Sequence, residues 1–318
     1  MPICTILLIS YNHALYIKKA IDSILEQKTN YKFVIKIFDD CSTDGTQDII
    51  NEYAQKYPNL IETNISEENI GAQANILRAY KSVNTKYFAL LECDDYWNNQ
   101  NKLQLQIEAL EKHPECTFAS HNTMLININD KYRKKEDKKL VVHNKKMKNL
   151  SIISINDLRE LKYNYLTHIS SRIIRTNAIN WNELNNLENF LYDTCQFYYL
   201  LLKGDMYYID KVMSIYNMNN ASSFSGAKIS KKIRIHIENL TQINKDTNYI
   251  IEDIIYRHLS QFIGYWTYLA DDSEKKVKES IEHKIKNIKH YFIPRFILDI
   301  FNIPRDIIRL IRKILRGT

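Results

Sequence analysis

Three acids crowd into four positions at Glu92, Asp94 and Asp95, directly after the apolar and aromatic run Tyr87-Phe88-Ala89-Leu90-Leu91. The run is long enough for one buried strand, so the carboxylates stand at its carboxyl end. Like charges this close repel, and the cost is tolerable when a hard cation sits among them. Mg²⁺ and Mn²⁺ favour oxygen ligands and are held by one or two carboxylates plus substrate phosphates. The pattern points to a metal–diphosphate site, against the plainer alternative of a solvated acidic turn. Asp39-Asp40 closes a second apolar run, Phe33 to Phe38, and Ser10-Tyr11-Asn12 breaks a third, Ile3 to Ile9.

The elements that must position these groups alternate. Ile17, Ala20, Ile21, Ile24 and Leu25 follow the first run at helical spacing. After the second run, Cys41-Ser42-Thr43-Asp44-Gly45-Thr46 is turn chemistry, with Thr46 the expected N-cap of a helix carrying Ile49, Ile50, Tyr53, Ala54 and Tyr57. Leu60 to Ile65 is a weaker strand, and a helix through Ile76, Leu77 and Tyr80 follows Asn69-Ile70-Gly71. Leu103, Ile107 and Leu110 mark one more helix, ending before Pro114. Strands alternating with helices in this way predict a parallel, doubly wound sheet. Such sheets bind ligands beyond the carboxyl ends of their strands. Three strand ends would therefore deliver Ser10-Tyr11, Asp39-Asp40 and Glu92-Cys93-Asp94-Asp95 to one edge.

Further along, Ile155–Leu161 reads as a short helix and Leu166–Ile174 as a strand holding His168, Ser170 and Ser171. Phe190–Leu202 reads as a helix stopped by Gly204 at a C′ position. Met206–Ile209 and Val212–Tyr216 read as two short strands, and Lys228 onward as helical. Lys131 to Lys148 is basic and polar, but no aromatics interleave with its lysines as a nucleic-acid stacking platform requires. It reads as a surface loop, and nucleic acid is not an expected partner.

Composition agrees with a folded enzyme. Hydrophobic residues make up 45% of the 318 and charged residues 25%, which leaves no room for wholesale disorder. The five scattered cysteines form no CxxC pair, and no secretory leader precedes them, so a reduced, cytoplasmic protein without cysteine-bound zinc is expected. No uncharged apolar stretch reaches the roughly 18 residues of a membrane span. Between Tyr291 and Thr318, however, apolar residues alternate with six cations against Asp299 and Asp306. A basic amphipathic helix of this kind lies in the headgroup plane of an anionic bilayer. The alternative is packing on its own domain or on a second subunit, as in a homo-oligomer.

Taken in order, these segments resemble the family 2 glycosyltransferases, the nucleotide-diphospho-sugar transferases with the GT-A fold. The resemblance rests on Ile9-Ser10-Tyr11-Asn12, on Phe38 through Thr46, and on Glu68-Asn69-Ile70-Gly71 with Asn75 and Arg78. It continues through Leu91 to Trp97, with Lys102-Leu103 and Gln106 behind, and through Tyr192-Asp193-Thr194 to Tyr216. It implies an α/β GT-A fold, a mostly parallel sheet flanked by helices, over residues 1–225. Within that span, residues 1–115 would bind the nucleotide sugar and metal, and 116–225 the acceptor. A helical C-terminal region would fill 226–318.

By the same resemblance, Ser10, Tyr11, Asn12, Asp39, Asp40, Arg78, Glu92 and Cys93 line the nucleotide site. Asp94 holds the metal, Mn²⁺ or Mg²⁺, with Asp95 beside it, and Asp193 is the general base. Trp97, His121 and His168 are acceptor-side candidates. The chain departs from the family pattern at four places: Glu92 where Asp is commoner, Cys93 where Gly or Ser is, Tyr192 where an acid is frequent, and Asn217 where Arg follows. The expected function is inverting transfer of a sugar from a nucleotide diphosphate, UDP first, to a hydroxyl of a bacterial surface glycan or glycolipid such as capsule or lipo-oligosaccharide. The enzyme would work in the cytoplasm, peripheral to the inner membrane. Two rivals are a catalytically degenerate sugar-nucleotide-binding scaffold and a nucleotidyltransferase; the latter normally shows a Gly-rich loop after its first strand, and Ser10–Leu15 has none.

Overall fold

Seven consecutive buried residues, Cys4–Ser10, form β1, and the sheet grows outward on both sides of it. The computed structural model describes residues 1–126, 151–160, 167–181, 191–217 and 229–259. The strands after β1 are β2 (Phe33–Asp39), β3 (Ile61–Ile65), β4 (Tyr87–Glu92), β5 (Tyr96–Trp97), β6 (Cys116–Ile126), β7 (Ile152–Ile153), β8 (Ile173–Arg175) and β9 (Asp205–Asn217). The helices are α1 (Ile17–Leu25), α2 (Thr46–Lys56), α3 (Ala72–Lys81), α4 (Lys102–Lys112), α5 (Ile155–Glu160), α6 (Asp193–Lys203) and α7 (Ile229–Asp246).

Strand order is β3-β2-β1-β4-β8-β6-β9-β5, with β7 on β9. β1 runs parallel to both β2 and β4 because the crossovers are helical, and such strands are covered on both faces. Ile6, Leu7, Leu8, Ile35, Ile37, Phe88 and Leu91 are accordingly buried. Each such side chain contributes about 1.5–3 kcal/mol on burial. Ile17, Ala20, Ile21 and Ile24 form the covered stripe of α1. β8 pairs antiparallel with β4 and β6, and β6 with β9 is parallel again, so the start of β8 shares an edge with the ends of its neighbours.

Four local expectations change. Thr46 is the first residue of α2, not its cap; Gly45 caps with φ 91°, and Asp44 accepts from the Thr46 amide at 3.1 Å and hydroxyl at 2.5 Å. The expected strand 166–174 is a 3-10 turn, Ile169–Ser171, followed by the short β8, because Ser171 donates back to the His168 carbonyl. The two strands expected around Asp210-Lys211 are one, β9. Those exposed residues loop out where His121 pairs with Ile209 and Asn122 with Val212, so a bulge replaces a break.

Gly204 is extended rather than left-handed, at φ 164°. Close approach requires it: a Cβ there would stand 2.7 Å from the Glu115 carbonyl oxygen and 2.7 Å from Thr117 Cγ2. Gly204→Ala should lower stability by about 1–3 kcal/mol through that clash. Thermal denaturation by circular dichroism checks it, and an unchanged midpoint contradicts it.

The chain divides into two compact units, residues 1–158 with 165–222, and 159–164 with 223–318. In the second, α7 and a helix over 252–259 bury Ile237, Leu240, Ile243, Ile251, Ile254 and Ile255. His236 and His258 meet there with Nε2 atoms 3.1 Å apart. Residues 131–150, 218–228 and 291–318, which carry the expected surface loops and basic amphipathic helix, lie outside the described residues.

Candidate active site

Register alone brings the first groups together. Ser10 pairs with Asp39 across β1 and β2, and Ile9 with Glu92 across β1 and β4. The loops after β1 and β2 then lock onto each other. The Asn12 amide donates to Ser42 Oγ at 2.8 Å, its Oδ1 accepts from the Thr43 amide at 2.9 Å, and the His13 amide donates to Thr46 Oγ1. Asn12 and Cys41 both hold positive φ, 54° and 61°, in this double loop. Backbone strain of that kind persists where the surroundings enforce it.

Several expected nucleotide residues tie the strand ends and loops of this edge together. Buried Asp39 accepts from the Ser42 amide and hydroxyl at 2.8 and 2.5 Å. Asp40 accepts from the amides of Ile70 and Gly71 at 2.8 and 2.9 Å and so fixes the entry to α3. One Arg78 nitrogen donates to the Asp39 and Asn64 carbonyls and to Asn75 Oδ1, clamping the ends of β2 and β3. Tyr11, by contrast, is 46% exposed. Cys93 is fully buried; burial first, then the charges of Asp94 and Asp39, push its thiol well up, which makes it an inert filler.

The acidic turn closes on itself through the Asp95 amide and the Glu92 carbonyl at 2.9 Å. Asp95 is buried, and its two oxygens accept from Ser170 Oγ at 2.6 Å and the Asn217 amide at 3.1 Å. His168 Nδ1 lies 3.5 Å from Asp95 Oδ2, and its ring stacks on Tyr216 with centroids 4.2 Å apart. One ligand atom from each of Glu92, Asp95 and His168 falls within 4.8 Å of the others. Expectation named Asp94 and Asp95 as metal residues and His168 as an acceptor contact; the structure gathers Glu92, Asp95 and His168.

Electrostatics describe the same convergence. Burial, followed by the charges of Asp94, Asp95 and Asp193, holds the Glu92 carboxyl well above the usual carboxylate range. Burial and then Asp94 raise Asp95 in the same direction. His13 is lowered by burial although Asp94, Asp44 and Asp39 pull it up. Carboxylates this close are costly without a compensating cation. An oxygen-rich set with one imidazole suits a hard divalent ion such as Mn²⁺ or Mg²⁺.

Asp193 opens α6, with Tyr192 as its N-cap, and the helix dipole favours an ionised carboxylate there. Tyr192 accepts from Gln73 Nε2 at 2.6 Å, in the place where the family often has an acid. Trp97 is a correction as an acceptor platform. It is 3% exposed, donates Nε1 to the Ser170 carbonyl at 3.0 Å, and has the Lys102 ammonium 4.0 Å from its ring centre, so little ring surface is left for a sugar. His121 is also buried; its Nδ1–H donates to the Asn122 carbonyl at 2.8 Å, and burial, then Lys102, keep the ring neutral. Sequence reasoning missed His13, Ser170 and Arg172 as site residues. Each is defined by a partner far away in the chain, and no local pattern marks it.

The family model described as "Glycosyl transferase family 2" matches residues 5–184. The chain belongs to this family. Its fold is mixed α/β, of the GT-A type. Over 118 residues it is 36% identical to the putative teichuronic acid biosynthesis glycosyltransferase TuaG of Bacillus subtilis, covering 37% of this chain and 45% of TuaG. Over 127 residues it is 34% identical to the Escherichia coli UDP-Glc:alpha-D-GlcNAc-diphosphoundecaprenol beta-1,3-glucosyltransferase WfaP, covering 40% of this chain and 47% of WfaP. An uncharacterized protein of Mycobacterium tuberculosis is 40% identical over 122 residues, 38% of this chain and 35% of that protein. The match thus spans less than half the length of each of these relatives. Among solved structures, Staphylococcus aureus TarS in complex with UDP-GlcNAc superposes with a TM-score of 0.66 at 17% identity, covering 100% of this chain and 91% of that chain.

Proposed function

We propose that this glycosyltransferase moves a sugar from a UDP-sugar to a hydroxyl of a bacterial surface glycan or lipid-linked glycan, with inversion. What supports the reading is that Glu92, Asp94 and Asp95 stand at the carboxyl end of β4, beside the ends of β1 and β2, with Asp193 from a distant segment near enough for its charge to raise the Glu92 carboxyl. The names of TuaG, WfaP and TarS support a cell-surface glycan and a UDP donor. Residues 1–225 act as the catalytic domain and 226–318 as a C-terminal extension. The basic amphipathic segment 291–318 attaches the enzyme to the inner face of the cytoplasmic membrane. Among the described residues, no helix is long and apolar enough to cross a membrane.

Tyr11 faces the base, and the Asp39 loop forms the wall against it. Glu92, Asp94, Asp95 and His168 would hold Mn²⁺ or Mg²⁺ beside the diphosphate. When bound, such an ion acts as a Lewis acid on the departing diphosphate oxygens. Asp193 accepts the proton of the acceptor hydroxyl as that oxygen attacks the anomeric carbon opposite the leaving UDP. General-base help of this kind is worth about 10²–10⁴-fold. No enzyme nucleophile is needed.

The test is a thermal-shift panel of UDP-GlcNAc, UDP-glucose, UDP-galactose and GDP-mannose, each with MnCl₂ and with EDTA. A UDP-sugar should raise the midpoint by several degrees with MnCl₂ and much less with EDTA, and UDP should be released on incubation as water takes the sugar in place of the acceptor hydroxyl. A shift only with GDP-mannose, or one equal in EDTA, contradicts the reading. Tight binding with no release of UDP would mark a scaffold instead.

A further inference from the structure

Arg172 is among the largest fully buried side chains, at 1% exposure. A buried guanidinium is expensive unless its donors are used. Here Nε donates to Thr167 Oγ1 at 3.1 Å and Nη2 to the Thr167 carbonyl at 2.6 Å. Nη1 donates to the Asp193 carbonyl at 2.8 Å and to Gln196 Oε1 at 3.0 Å. Gln196 Nε2 in turn donates to the Tyr80 hydroxyl of α3 at 2.7 Å, and both of those residues are buried. One planar fork thus grips the first turn of α6 and ties it to α3.

The position of Arg172 gives the grip its meaning. It follows the turn Ile169–Ser171, in which Ser170 donates to Asp95, and the same short segment carries His168 against Asp95. Five residues of chain, His168 to Arg172, therefore touch both the acidic cluster and the residue that opens α6. We infer that Arg172 is a positioning residue, one that sets the distance of Asp193 from the Glu92–Asp95 cluster through the Asp193 backbone. It does not touch the sugar or the diphosphate. Lysine cannot replace it, because a point charge on a flexible stem cannot make the forked contact to the Asp193 carbonyl, Gln196 and Thr167 together. A misplacement of about 1 Å at a reacting group can cost about 10²-fold. The inference rests on Asp193 being the base.

The experiment compares full-length wild type, Arg172→Lys, Tyr80→Phe, Asp193→Asn and the Arg172→Lys/Asp193→Asn double variant. UDP release from UDP-GlcNAc and from UDP-glucose in MnCl₂ gives kcat and KM, calorimetry gives UDP affinity, and thermal melting checks folding. Arg172→Lys should lose about 10–100-fold in kcat, with donor KM and UDP affinity within about twofold of wild type. Tyr80→Phe, which strands the Gln196 amide, should lose a few-fold in kcat at unchanged KM, and it carries the test should Arg172→Lys not fold. The double variant should be no slower than Asp193→Asn. Full kcat in both Arg172→Lys and Tyr80→Phe beside an inactive Asp193→Asn overturns the inference and leaves the base reading standing. A kcat loss matched by an equal loss of UDP affinity also overturns it, as general damage. An active Asp193→Asn overturns the base reading, and this inference with it.

Discussion

Asp193→Asn should reduce sugar transfer by about 10²–10⁴-fold while leaving UDP affinity within about twofold of wild type. The amide keeps the size and the place of the side chain at the start of α6, so the helix and its Arg172 contact through the backbone carbonyl survive. What is lost is the anionic, basic oxygen that takes the acceptor's proton. Removing one of the charges that raise Glu92 also eases the acidic cluster, so binding of the cation and of UDP should not suffer. Initial rates of UDP release and UDP calorimetry separate the two effects. Transfer at a near wild-type rate would falsify the assignment, and a parallel loss of UDP affinity would move Asp193 from proton acceptor to donor binding.

Asp95→Asn should abolish the Mn²⁺-dependent part of the thermal shift given by UDP. Asp95 is buried and accepts two hydrogen bonds, and asparagine offers one oxygen where the carboxylate offered two. Leaving a buried donor unpaired costs about 1–3 kcal/mol. Against that stands relief of repulsion, and its size depends on pH. Burial and Asp94 raise the folded-state pKa of Asp95 above its unfolded value. Such a group contributes stability that is full below the unfolded pKa and is lost as pH rises through the folded one. Without metal, therefore, the variant should gain on wild type as pH rises from the ordinary carboxylate range toward neutrality, because the unfolded wild-type chain releases the Asp95 proton while the folded state still holds it. Melting curves of both proteins in EDTA across that range check the sign; a gap independent of pH contradicts it.

Much of the first 115 residues was legible because its information is local. β1, β2 and β4 are covered on both faces, so each reads as an unbroken apolar run, and each ends in the polar group it delivers. The helical stripes of α1 and α4 show the same directness. The later segments are tied to the acidic turn by long-range pairings. Asp95 finds Ser170 75 residues later and Asn217 122 residues later, and nothing near Asp95 announces either partner. β9 reads as two strands because a bulge and a break both place exposed polar residues between apolar ones. Gly204 reads as a helix stop because packing against Glu115 and Thr117 leaves no trace in its own neighbourhood. Arg172 looks like any basic residue beside a strand until Asp193 and Gln196 are brought against it.

The claim on which the rest depends is that carboxylates from separate segments surround one divalent ion at the donor diphosphate. Crystals grown with UDP and MnCl₂, measured for anomalous scattering at the manganese edge, test it most directly. The expected result is a single strong peak bonded to oxygens of the Glu92–Asp95 turn and to the UDP diphosphate, with the Asp193 carboxylate facing the open side. A peak on another surface, or a diphosphate bound away from Glu92, Asp94 and Asp95, contradicts it.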